Sequence, residues 1–79
     1  MARVLLFGSL VGVAGWRERE IDVPALSSLK ALLAWEDEAL GAAIAETGVQ
    51  AAVDQEIARA DVPLTHSSEV AFLPPMSGG

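Results

Sequence analysis

The spacing of apolar and polar residues changes period several times along the chain. Residues 3–10 (RVLLFGSL) are a mostly apolar run with β-branched and aromatic members. A run of this kind predicts a strand covered on at least one face. Gly12 and Gly15 flank a turn. Residues 17–23 (REREIDV) alternate, with Arg17, Arg19, Ile21 and Val23 on one face and Glu18, Glu20 and Asp22 on the other. Charges of this kind suit an edge strand. Together the two segments predict an N-terminal β-hairpin with a loop of several residues, ended by Pro24.

Helical spacing takes over next. Leu29, Leu32 and Leu33 stand at i, i+3, i+4. Ser27 or Ser28 is the expected cap, its hydroxyl accepting a backbone N–H of the first turn. Leu40, Ala43 and Ile44 repeat the stripe, and Gly48 is the expected stop. The spacing predicts two short helices, 27–35 and 37–46, with Asp37 capping the second. Residues 49–54 (VQAAVD) predict a strand and 55–58 (QEIA) its short return, turning at Asp54-Gln55. A second turn falls at Asp61-Val62-Pro63. Residues 69–73 (EVAFL) predict the last strand, and Pro74-Pro75 ends it because neither proline donates to a ladder.

The order is β-β-α-β-β-β. The most apolar strands are the first and last, so both belong in the centre of a mixed sheet, side by side. A helix over one face completes an α+β two-layer domain. That arrangement is the β-grasp, or ubiquitin-like, roll. It is expected over 1–75, with a flexible Gly-Gly tail over 76–79.

Composition sharpens this picture. The chain has 79 residues, room for one domain. At this size only about 60% of the unfolded chain's surface is buried, so the core is thin. The 52% hydrophobic content includes 14 alanines, which leaves 27 large apolar residues. That is enough for one core, with a few residues left for a partner. The formal charge is -6, with one lysine and four scattered arginines. Nucleic-acid binding, which needs basic residues to displace counterions, is therefore not expected. An anionic membrane surface is disfavoured for the same reason. The apolar run at 3–10 is broken by Gly8, Ser9 and Gly12 and lacks a signal-peptide cleavage site. No uncharged span is long enough for a membrane helix, so a cytoplasmic protein is expected.

Side-chain chemistry is sparse. There is no cysteine and one histidine, His66, so a thiolate or multi-histidine metal site is excluded. Glu36, Asp37 and Glu38 are consecutive and do not face one another on a helix. Ser27 and Ser28 have no histidine at motif spacing. Gly8, Gly12 and Gly15 lack the spacing and following helix of a phosphate loop. The C-terminus offers more. Gly78-Gly79 follows a central strand and a Pro-Pro stop. Two residues without Cβ atoms make a tail thin enough for a narrow channel. The prolines stiffen its base. The reactive group at its tip is the α-carboxylate of Gly79, which must be activated, most simply with ATP, before it reacts as an acyl group.

These residues resemble a known family. Ala51-Ala52-Val53-Asp54-Gln55, Pro63-Leu64, Glu69-Val70-Ala71-Phe72, Pro74-Pro75 and Gly78-Gly79 look like the C-terminal part of the small, sulfur-carrying subunit of molybdopterin synthase, the MoaD family. Val4-Leu5-Leu6-Phe7-Gly8 also fits. The likeness is weakest over 27–46. Asp54 stands where the family often has asparagine, and Met76-Ser77 where Val-Thr or Val-Ser is usual. The resemblance implies that an ATP-dependent activating enzyme adenylates Gly79 and that a sulfur donor converts it to a thiocarboxylate. The tail, Met76, Ser77 and Gly78, then threads into the large subunit. There Gly79 passes sulfur to cyclic pyranopterin monophosphate to build the dithiolene. The resemblance implies a heterotetramer, docking through Phe7, Ile57 and Leu73, and no metal or cofactor bound by this chain. A sulfur carrier for thiazole or amino-acid thiolation, and a ubiquitin-like interaction module whose terminus is never activated, are the alternatives.

Overall fold

The computed structural model describes residues 1–75. Within them the strands are β1 (Ala2–Leu6), β2 (Glu18–Ile21), β3 (Gln50–Val53), β4 (Glu56–Ala58) and β5 (Glu69–Leu73). The helices are α1 (Ser9–Ala14), α2 (Leu26–Glu36) and α3 (Glu38–Ile44). The sheet order is β2-β1-β5-β3-β4. β1 and β5 are adjacent and parallel, with Val4 opposite Val70 and Leu6 opposite Phe72. All other pairings are antiparallel. The expected β-grasp and its first-and-last adjacency are both present.

One core forms between sheet and helices. Val4, Leu6, Val70 and Phe72 from the two central strands meet Leu10, Leu26, Leu29, Leu33, Leu40 and Ile44 from the helices. The alternation in β1 and β5 explains this choice. Every second residue points to the same side, and those four are the inward set.

The largest correction lies in residues 3–15. The strand ends at Leu6, and residues 9–14 form α1 rather than more strand and a glycine turn. Gly8 breaks the strand with φ 57 and ψ -135. Leu10 is then buried, with Val11 and Ala14 packed against the core. Gly12 sits inside the helix, and Gly15 closes it in the left-handed conformation, its N–H donating to Val11 O at 2.8 Å. β1 and β2 do pair as expected, but a helix occupies their connection. The segment has poor helix propensity, and burial of one side overrides it.

The helix caps also differ from expectation. α2 begins after Ala25, and no side chain of its own N-cap closes it. Asp61 supplies that cap from a distant loop. Ser27 N donates to Asp61 Oδ1 and Ser27 Oγ donates to Asp61 Oδ2, each at 2.8 Å. Asp37 caps α3 as expected, accepting from Leu40 N at 3.1 Å. α3 ends at Ile44, before the expected 46. Gly48, with φ 94, therefore belongs to the turn into β3 and is not the helix stop. The turn at Asp54-Gln55 is as expected, with φ of 51 and 72 at its two central residues.

Candidate functional site

The sheet has a second face, away from the helices, and its composition changes along the strands. The outward residues of β1 and β5 are Arg3 and Leu5, and Glu69, Ala71 and Leu73. Register then builds a row across the sheet. Glu18 stands opposite Leu5, Leu5 opposite Ala71, Ala71 opposite Ala52, and Ala52 opposite Ile57. Four of these five residues are apolar. Ala52 is covered although it lies outside the main core. One step further along, Leu73 is opposite Gln50. Extending the β1–β5 register by one residue sets Phe7 beside Leu73.

The opposite end of this face is charged. Arg3 Nε lies 3.3 Å from Glu18 Oε2, and Arg3 Nη1 donates to Glu69 Oε2 at 3.4 Å. Glu20, opposite Arg3, is also exposed. Such exposed pairs contribute about 1 kcal/mol or less each, so they organise charge more than they hold the fold. The face is apolar at the end where β5 delivers the chain to Pro74, and charged at the other.

Of the three expected docking residues, the structure puts Phe7 and Leu73 at that apolar end and Ile57 in the adjoining apolar row, on edge strand β4. Phe7 is 45% exposed and Ile57 39% exposed, while Leu73 is half-buried. Phe7 also lines a groove of about 550 Å³ with Leu5, Leu6, Gly8, Val11, Arg17 and Glu18. Leu5, Ala71 and Ala52 complete the apolar row and were not singled out from the sequence. The outward i, i+2 alternation of β1 and β5 was the signal that would have found Leu5 and Ala71; β3, buried at three successive positions, carries no such signal for Ala52.

Met76, Ser77, Gly78 and Gly79, expected as tail and reacting residue, lie outside the described residues. Among the described residues, no group of three or more His, Cys, Asp and Glu side chains is placed to hold a metal ion. His66 is exposed in the turn before β5, and its carbonyl accepts from the N-terminal amine at 3.3 Å. The Ser27 hydroxyl is taken by Asp61. That carboxyl is held below its usual range, first by the Ser27 backbone N–H and then by the Ser27 hydroxyl. No described helix is long and apolar enough to cross a membrane.

The fold places the chain in the β-grasp class of ubiquitin-like proteins. Two small archaeal modifier proteins 1 are similar to it in structure. The one from Haloferax volcanii has a TM-score of 0.85 at 24% identity, covering 99% of this chain and 98% of its own. The one from Methanosarcina acetivorans has the same TM-score and identity, covering 99% and 95%. The sequence matches the ThiS family over residues 4–79, and the chain belongs to that family. It is 33% identical over 81 positions to the molybdopterin synthase sulfur carrier subunit of Escherichia coli (strain K12), covering all of both chains. It is a ubiquitin-like sulfur carrier of the ThiS and MoaD type.

Proposed function

We propose that the chain is the sulfur carrier and small subunit of a molybdopterin synthase. The observation that carries this reading is the full-length relation to the Escherichia coli sulfur carrier subunit of that enzyme. The reacting group is the α-carboxylate of Gly79. On an activating enzyme, a carboxylate oxygen attacks the α-phosphorus of ATP and pyrophosphate leaves. Sulfide-level sulfur from a donor then attacks the acyl carbon, the bond to AMP breaks, and Gly79 becomes a thiocarboxylate. ATP is the activating enzyme's substrate, and this chain binds no cofactor of its own.

The tail, Met76, Ser77 and Gly78, threads the thiocarboxylate into the large subunit. Its sulfur goes to cyclic pyranopterin monophosphate, and two such transfers make the dithiolene. The assembly is a heterotetramer, and its acids, bases and phosphate-binding groups come from the large subunit. The apolar end of the outer sheet face supports this arrangement. Phe7 and Leu73 stand where the chain leaves the sheet, and Ile57 lies on the same face one row back, on edge strand β4, so docking there brings the tail to the partner. Apolar anchors of this kind carry most of the energy in many interfaces.

The test is mass spectrometry of the chain after incubation with ATP, activating enzyme and sulfur donor. One oxygen should be exchanged for sulfur at Gly79. No exchange, with an activating enzyme shown to be competent, refutes sulfur carriage. Exchange without dithiolene formation on a competent large subunit assigns the sulfur to another product.

A further inference from the structure

The root of the tail is held in an unusual way. Leu73 is the last residue of β5, and Pro74 and Pro75 follow. Prolines have no N–H, so a sheet ladder cannot secure them through a donor. In this fold the loops of the two neighbouring strands take over. β5 lies between β1 and β3. Gly8 follows β1, and a Cβ on it would stand 2.8 Å from Pro74 Cγ. Gly48 precedes β3, and a Cβ on it would stand 3.0 Å from Pro75 Cβ and 3.4 Å from Pro75 Cγ. Each proline thus rests against a bare glycine backbone, one from either side.

Both glycines have positive φ, 57 and 94, so any other residue is strained there as well as crowded. Gly15 has positive φ, in the left-handed helical region, without the crowding. Its φ is 82, yet a Cβ on it would meet nothing within 4 Å. It serves only its own helix end. Below the prolines, Leu10, Val13, Ala43 and Val49 help line a groove of about 310 Å³ between α1 and α3.

We propose that Gly8 and Gly48 are positioning residues for sulfur transfer: together they seat Pro74 and Pro75 and so set the direction in which the reactive tail leaves the sheet. The proposal rests on the sulfur-carrier reading. Proline φ is already restricted to about -65°. Contact on both rings restricts the root further, four residues before the reacting carboxylate. Displacement of a reacting group by about 1 Å can cost up to roughly 100-fold in rate, so an error in angle at the root is felt at the tip. The sheet face would still dock, so affinity and rate should separate.

The experiment uses the full chain. In the NMR spectrum of the wild type, the Gly8 α-protons should show NOEs to the Pro74 ring, and the Gly48 α-protons to the Pro75 ring. Gly8→Ala and Gly48→Ala should slow thiocarboxylation by ATP, activating enzyme and sulfur donor by about tenfold or more, with the dissociation constant for the activating enzyme unchanged. Gly15→Ala, also at positive φ but with no proline contact, should stay within about twofold. The strain peculiar to Gly8, whose ψ is -135, is separated by the Pro74 double variant. Adding Pro74→Ala to Gly8→Ala removes the ring carbon that is struck and should recover part of the lost rate, a coupling that independent effects would not show.

If Gly8→Ala or Gly48→Ala fails to fold, Pro75→Gly carries the same comparison, because it removes the ring without touching either glycine. Absent NOEs in the wild type overturn the seat. Equal slowing of all three glycine variants, or slowing that follows the dissociation constant, overturns the positioning role. A wild type that shows the NOEs but is never thiocarboxylated overturns the sulfur-carrier reading, and with it the positioning role, while the seat itself stands.

Discussion

The two phenylalanines of this chain have opposite fates, and register decides between them. Phe72 is 1% exposed and Phe7 is 45% exposed. Phe72 faces inward opposite Leu6, while Phe7 follows the outward residue Leu5 and lines the groove beside it. Burying a phenylalanine fully contributes about 1.5–3 kcal/mol, so a half-covered ring contributes roughly 1 kcal/mol to the fold. An apolar anchor seated in a partner pocket contributes about 2 kcal/mol or more to binding. If the chain docks on a large subunit as proposed, Phe7→Ala should weaken that binding roughly 30-fold while its unfolding free energy falls by about 1 kcal/mol or less. Titration calorimetry and denaturant unfolding on the same protein check this. A drop in stability with an unchanged dissociation constant would show that Phe7 serves the core.

At the scale of elements, two contacts decide how the helices sit. The first is the close crossing of α2 and α3. A Cβ on Gly41 would lie 2.5 Å from Ala34 Cβ and 2.6 Å from Ala34 Cα. Alanine is a better helix former than glycine by about 1 kcal/mol, yet overpacking costs about 1–3 kcal/mol. Because backbone as well as side chain is struck, packing should win. Gly41→Ala should lower stability in urea by about 1–2 kcal/mol; a more stable variant would mean that the helices separate freely. The second contact is the Asp61 cap on α2. Its carboxyl is lowered from 3.8, chiefly by the Ser27 backbone N–H. A group whose folded pKa is depressed stabilises the fold above its unfolded pKa, and the effect fades as pH falls through the folded value. Asp61→Ala should therefore unfold at lower urea than the wild type at pH 7, with the gap closing below about pH 3.8. A gap that stays constant in acid would exclude the ionised carboxylate as its cause.

At the scale of the whole molecule, charge and chain direction act together. The net charge of -6 favours encounter with a more basic partner. The outer sheet face adds an apolar end beside the exit of β5 and a charged end around Arg3. If Gly79 is the reacting residue, one alanine added after it should abolish thiocarboxylation while the thermal unfolding midpoint stays unchanged. Sulfur transfer by the extended protein would contradict the terminal mechanism.

Much of this protein was legible in its sequence because the relevant signals are local. Alternation in 69–73, the Leu29-Leu32-Leu33 stripe, the Asp37 cap and the Asp54-Gln55 turn each depend on residues a few positions apart. So does the succession of two prolines and two glycines at the C-terminus. Tertiary structure decided what depends on distant neighbours. α1 exists because Leu10 has a core to enter. α2 is capped by Asp61, 34 positions away from Ser27. Gly8 and Gly48 matter through prolines that only sheet order brings to them. Dihedral preference and periodicity are written in neighbouring residues, whereas burial, trans capping and steric seats arise only when remote segments share a surface.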